Sequence, residues 1–331
     1  ATVFDHFCGG TTERDCLPVV DKMYSKGVSS VLDYSVEGKE DEEHFDDAMN
    51  MTLEIIEFAK ERKALPYAVF KPTGFGRFEL YDKKGAGISF TEAEQKEWDR
   101  VVERFDKVCK KAFENNIEVL VDAEESWMQD AADDLVTLMM QRYNKEKALI
   151  FNTLQMYRHD RMEYLKKLHI QAKAEGFYIG QKLVRGAYME KENERAAQKG
   201  YPSPICSSKA ATDENYNAAV KYMLGNIDMM AVFVGTHNED SSYMLMRMMK
   251  ENGIEKGDRR IFFGQLYGMS DNISFNLGAA GYNIAKYLPF GPVREVMPYL
   301  IRRAQENTSV AGQTSRELNL ISAERKRRAK K

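Results

Sequence analysis

Eight short apolar runs recur along this chain, each followed by residues with helical spacing, and they constrain its fold more than any other feature. The runs are SSVLDY (29–34), YAVFK (67–71), EVLVDA (118–123), ALIFNT (148–153), IGQKLVRG (179–186), AVFVGTH (231–237), RIFFGQL (260–266) and NIAKYLP (283–289). They are short, rich in β-branched and aromatic residues, and mostly lack polar alternation, which is the pattern of strands buried on both faces. Between them, segments such as 51–62, 92–115, 128–144, 157–176, 212–227, 239–251 and 292–306 carry apolar residues at three- and four-residue spacing. Eight β-then-α units predict an α/β fold, a (β/α)8 TIM-like barrel. A doubly wound open sheet is the alternative, but no GxGxxG follows any run. GFGR (74–77) lacks the third glycine, and no good helix is expected after it.

Composition agrees with one large core. The 331 residues are 43% hydrophobic and 30% charged, with a formal charge of −3, which gives no general reason to expect nucleic acid. One domain over 1–331 is expected, with a lead-in segment at 1–27 (a helix over 11–27 capped by Thr) and a basic tail at 313–331. That tail, ending AERKRRAKK, reads as a solvated terminus or as an anchor for anionic surfaces. Cys8, Cys16, Cys109 and Cys206 form no CxxC, and the five histidines lack metal-ligand spacing, so neither a disulfide framework nor a metal site is expected. No transmembrane run and no signal peptide are visible. The expected setting is cytosol-like and reduced, with peripheral membrane contact allowed.

In a barrel, the chemistry sits at the carboxyl ends of the strands. The polar residues there are Asp33, Lys71, Asp122, Asn152 with Gln155, Lys182 with Arg185, His237 with Asn238, Gln265, and Tyr287. Singly, each has an ordinary explanation: a solvated lysine, a helix-capping carboxylate, a bonded core histidine. Together they form a convergent ring with a surplus of cations.

The stretch YLIRRAQENTSV (299–310) adds a second signal. Met297, Leu300, Ile301 and Ala304 are spaced as a buried stripe, yet Arg302 and Arg303 are adjacent within it. On a helix they diverge by about 100°, and Glu306 is spaced to pair with either. Two guanidiniums beside a carboxylate suit a small anionic ligand, since arginine grips a carboxylate bidentately and keeps its charge. A surface ion-pair network is the alternative.

Several long motifs resemble the proline dehydrogenase family: KLVRGAYMEKE (182–192), VDAEES (121–126), GTHN (235–238), KYLPFG (286–291) and YLIRRAQENTSV. YPSPICSSKAATDENYN (201–217) and GVSSVLDYSVEG (27–38) are similar too, and the likeness runs in order from about residue 4 to 312. It resembles the monofunctional type, since no aldehyde dehydrogenase half follows. The resemblance implies a distorted barrel that binds FAD non-covalently. It also implies oxidation of L-proline to Δ1-pyrroline-5-carboxylate, by hydride transfer from proline C5 to flavin N5, with electrons passed to a quinone. By matching position, Arg302 and Arg303 would bind the proline carboxylate, and Lys71, Asp122, Lys182, Tyr287 and Glu306 would complete the substrate pocket. Leu266 would wall it. Ala123, Gln155, Lys182, Val184, Arg185, Gly186, Ala187, Tyr188, Thr236, His237, Asn238, Gln265 and Leu266 match flavin-binding positions, with Lys209 and Thr212 near the adenosine end.

Two departures from the family pattern concern the flavin: Lys182 stands where many bacterial members have arginine, and Met189 where tryptophan is common. The resemblance also implies cytoplasmic placement against the inner membrane, on the mitochondrial matrix side in a eukaryote. A separate pyrroline-5-carboxylate dehydrogenase stays open as a partner; nucleic acid is not expected. The nearest alternative, a hydroxyproline dehydrogenase, is disfavoured by Tyr287, which in the family crowds the hydroxylated ring carbon. A Schiff-base lyase built on Lys71 and Asp122, and a nucleic-acid binder using the basic tail, are the alternatives from other classes.

Overall fold

The computed structural model describes residues 3–35, 40–309, 322 and 325–328, the side chains of 3 and 303–309 excepted. Most of the tail expected at 313–331 therefore lies outside the described residues.

All eight runs are strands: β1 (Ser29–Tyr34), β2 (Tyr67–Phe70), β3 (Glu118–Val121), β4 (Ile150–Gln155), β5 (Ile179–Val184), β6 (Met230–Gly235), β7 (Ile261–Leu266) and β8 (Ile284–Phe290). They pair in parallel, each with the next, and β8 returns to β1 over six residue pairs from Ser29–Ala285 to Tyr34–Phe290. The barrel is closed, so no strand edge is left for another chain to pair with. The open-sheet alternative is excluded.

The helices around it are α1 (Val3–Phe7), α2 (Leu17–Tyr24), α3 (Glu42–Ala59), α4 (Phe78–Gly85), α5 (Glu92–Asn115), α6 (Ser126–Tyr143), α7 (Arg161–Glu175), α8 (Met189–Lys199), α9 (Lys209–Leu224), α10 (Glu239–Glu251), α11 (Asp271–Ala279) and α12 (Val293–Ser309). Four details differ from the sequence reading. A helix, α4, does follow GFGR; it is two turns long and buries only Leu80 and Tyr81, too little to leave a periodic pattern. The lead-in helix is shorter than 11–27 and lacks a threonine cap. Thr11 and Thr12 instead bond Asp15 in the turn before it, through backbone N–H contacts of 3.2 and 3.0 Å to the carboxylate. Helix α8 lies between β5 and α9, where the apolar spacing marks no helix. On α12, Val296, Tyr299 and Leu300 are buried while Ile301 is 48% exposed, so the apolar stripe is rotated from the expected one.

Side chains fill the barrel in an inner cluster of Val31, Tyr67, Val69, Leu120, Phe151, Phe233, Phe262, Ala285 and Tyr287. Tyr67 meets the rings of Phe151, Phe233 and Phe262 edge-on at 5.0–5.6 Å. Glycine makes this possible: a Cβ at Gly264 would come within 2.1 Å of the Phe233 ring. The larger apolar layer lies between strands and helices. A third cluster joins Phe7 and Cys8 to Val296, Tyr299 and Leu300, fastening α12 over the carboxyl end of the barrel.

Candidate active site

Lys71 directly follows β2 and is held extended (φ −104°, ψ 140°) by the proline that comes next. Asp122 directly follows β3, and its N–H continues the ladder to the Phe70 carbonyl at 3.0 Å. β5 places Lys182 and β8 places Tyr287 on the inner face. Lys182 Nζ donates to Asp122 Oδ1 and, at 2.8 Å, to the Tyr287 hydroxyl. The Tyr287 hydroxyl donates to the same carboxylate oxygen at 3.1 Å, and the ammonium stands 4.6 Å from the Tyr287 ring centre. Side chains from the residue after β3, from β5 and from β8 thus meet in one bonded triangle.

The surroundings are acidic as well as cationic. Burial pushes the Asp33 carboxyl upward, the Lys71 charge opposes this, and Asp122 reinforces it. Burial likewise drives the Tyr287 hydroxyl well up, helped by Asp122 and Asp33, so it stays protonated. Glu124 is buried and raised to about 7 by burial, against the pull of Lys71 and two bonds from Thr73. Those bonds run from Thr73 N–H (3.0 Å) and Oγ1 (2.6 Å), and they anchor the turn after Lys71. Tyr188, at the start of α8, is raised by burial and then by Glu124, Glu125 and Asp122, while Arg302 opposes the shift. Arg302 on α12 therefore acts on the same region. The side chains of Arg303 and Glu306 lie outside the described residues.

A second group continues along β4 to β7. Gln155 Nε2 donates to the Glu124 carbonyl (2.7 Å), and its Oε1 accepts from Ala187 N–H (3.4 Å). Arg185 bonds Asp213 (2.7 Å), Thr236 (2.8 Å) and Ser241 (3.1 Å) across the Tyr216 ring. Lys209 reaches the other oxygen of Asp213 at 2.8 Å. Gln265 Nε2 donates to the Thr236 carbonyl (3.0 Å), and His237 Nδ1 meets Ser270 Oγ at 2.8 Å. Asn238 caps α10, accepting from Ser241 N–H at 2.9 Å. Thr212 is buried on α9, whereas Ala123, Val184 and Leu266 are partly exposed at strand ends. Gly186, at φ +140°, is exposed, and a Cβ there would strike the Tyr157 ring at 2.5 Å.

This donor set fits an extended, anionic, aromatic cofactor. It offers two cations, several amide and hydroxyl groups, and a bare backbone at Gly186–Ala187 along a continuous rim. Among the described residues, no group of His, Cys, Asp and Glu could hold a metal ion, and no helix is long and apolar enough to cross a membrane.

One strand-end residue is not where the sequence reading put it. Asn152 points outward, its Nδ2 bonded to Asp133 on α6 at 2.8 Å, and the inward positions of β4 are Thr153 and Gln155. Asp213, Ser270 and the anchoring role of Glu124 were missed. Asp213 had a usable signal, four residues after Lys209 on a helix. Ser270 had none, since a lone loop serine looks like any other.

These features define a closed (β/α)8 barrel with a charged, hydrogen-bonded site at the carboxyl end of its strands. A family model described as proline dehydrogenase matches residues 16–316, and the chain belongs to that family. It is 36% identical over 322 residues to the carbapenem antibiotics biosynthesis protein CarD of Pectobacterium carotovorum, covering 97% of this chain and 83% of that one. Human mitochondrial proline dehydrogenase 1 is 44% identical over 242 residues, 72% of this chain but 40% of the human one. In structure, proline utilization A from Bdellovibrio bacteriovorus superposes with a TM-score of 0.81 at 24% identity, over 93% of this chain and 33% of that one, which supports the barrel alone.

Proposed function

We propose that this chain oxidises L-proline to Δ1-pyrroline-5-carboxylate with FAD as cofactor. The observation that carries the reading is the Asp122–Lys182–Tyr287 triangle at the barrel mouth, beneath α12, in a member of this family. FAD, when bound, supplies the two-electron acceptor for the hydride leaving proline C5. Gln155, Val184–Tyr188, Lys209, Thr212, Thr236–Asn238 and Gln265 would hold it, with Ala123 and Leu266 as apolar walls.

The chain's own residues do the rest. Hydride can leave only when the ring nitrogen has a free lone pair, so the substrate ammonium must first lose a proton to solvent. Lys71 and Lys182 disfavour that ammonium by like charge, and their effect grows as the closing site sheds water. Arg302 and Arg303 grip the carboxylate, with Glu306 as their partner. Asp122 fixes Lys182 and Tyr287 relative to each other. Tyr287 crowds the ring carbon that bears the hydroxyl in hydroxyproline, which favours proline over the hydroxylated substrate. The electrons go on to a quinone at a membrane surface, and a separate dehydrogenase consumes the product.

The test is the visible spectrum of the FAD-loaded protein under anaerobic addition of substrate. Bleaching with proline, and little with hydroxyproline, is expected. Preferential bleaching by hydroxyproline would support the hydroxyproline dehydrogenase reading, and a protein that takes up no FAD would refute both.

A further inference from the structure

Lys286 plays no part in the function proposed above, yet it is completely buried, on the outer face of β8. Its Nζ donates to the Met269 carbonyl at 2.7 Å and to Asp271 Oδ1 at 2.5 Å, and it reaches the Leu266 carbonyl at 3.5 Å. The three acceptors run from the last residue of β7, through the turn, to the first residue of α11. A buried charge is costly unless well bonded, so the lysine ties this turn firmly to β8.

The same turn carries two groups that face the site. Ser270 is fully buried in the left-handed conformation (φ +53°), which serine rarely adopts unless its surroundings hold it there. Its Oγ meets His237 Nδ1 at 2.8 Å. Leu266, at the other end of the turn, packs both into the barrel interior and under α12. Between them Gly268 (φ +77°) presses so closely on the N-terminal segment that a Cβ would lie 2.5 Å from the His6 carbonyl.

We propose that Lys286 is a positioning residue: by tying the 266–271 turn to β8, it sets the His237 ring through Ser270 and sets the Leu266 wall. It touches neither cofactor nor substrate. The inference rests on the cofactor and substrate roles given to His237 and Leu266 above.

The test compares Lys286→Met and Lys286→Arg with wild type. One readout is the nitrogen NMR spectrum of 15N-histidine-labelled, FAD-free protein, with His237 assigned from His237→Asn. The others are the FAD Kd and the proline KM and kcat. Lys286→Met should move the His237 ring signals, weaken FAD about tenfold, the size of one lost buried hydrogen bond, and raise proline KM more than it lowers kcat. Lys286→Arg should recover part of each. Wild-type His237 signals, Kd and KM in folded Lys286→Met would overturn the proposal. Should that variant not fold, Ser270→Ala decides, because it leaves Lys286 and its three acceptors in place: unchanged His237 signals and FAD Kd overturn the proposal. A wild-type protein that binds no FAD would instead refute the functional reading, while the histidine signals still report the link from Lys286.

Discussion

Replacing Asp122 by asparagine keeps the side chain's shape and removes the charge that faces Lys182. The pair is largely buried, with side-chain exposures of 8% for Lys182 and 16% for Asp122. Deleting one charge of such a pair costs about 3–5 kcal/mol, mostly because the other is left buried and unpaired. The barrel mouth admits some water, and the Tyr287 oxygen remains as an acceptor, which places the cost near the lower end, about 3 kcal/mol. At about 2.1 cal/mol/K per residue, a chain of 331 residues has an unfolding entropy near 0.7 kcal/mol/K, so Tm should fall by about 4 °C. Lys182→Met should be similarly costly. The double variant leaves no unpaired charge and should lose less than the two single losses together, by about 2 kcal/mol or more. Calorimetry of the FAD-loaded proteins without proline supplies the comparison. A Tm for Asp122→Asn within 1 °C of wild type (roughly a quarter of the expected shift), or strictly additive losses, would refute the account of the triangle.

Three further outcomes follow from the same geometry. Arg302→Met should raise proline KM by about a hundredfold or more, the loss of a charged bidentate contact, while FAD stays bound; near-normal KM would remove Arg302 from the carboxylate clamp. Tyr287→Ser should relax the rejection of hydroxyproline and also lower Tm, because Lys182 and Asp122 each lose a partner; unchanged selectivity in steady-state kinetics would count against the steric role. Glu124 has its folded pKa raised from 4.5 to about 7, so the folded state holds the proton more tightly than the unfolded chain. Its contribution is greatest below about pH 4.5 and is lost as pH rises to about 7, by roughly 3 kcal/mol. Urea titrations at pH 5 and pH 8 should therefore show wild type losing stability relative to Glu124→Gln at the higher pH; a pH-independent difference would contradict the shift.

Much of this protein was legible as sequence. Strands buried on both faces leave short, unbroken apolar runs, and all eight were placed within a few residues of their observed ends. The count of β-then-α units decided the barrel, and the barrel decided that Lys71, Asp122, Lys182 and Tyr287 share a rim. The adjacent arginines at 302 and 303 stood out because two guanidiniums do not suit an apolar helix face.

The tertiary structure decided which way each strand faces. A strand apolar on both sides carries no alternation to say which residues point inward, and only closure of β8 onto β1 sets that choice. Asn152 consequently turned away from the site and Gln155 toward it. Adjacent residues of β8 parted, Tyr287 into the barrel and Lys286 outward to the β7–α11 turn. The partners that bond Glu124 and hold His237 come from segments distant in sequence, and only packing brings them within bonding distance. The sequence by itself determined the architecture and the chemical types at the rim; the closed barrel decided which of them meet.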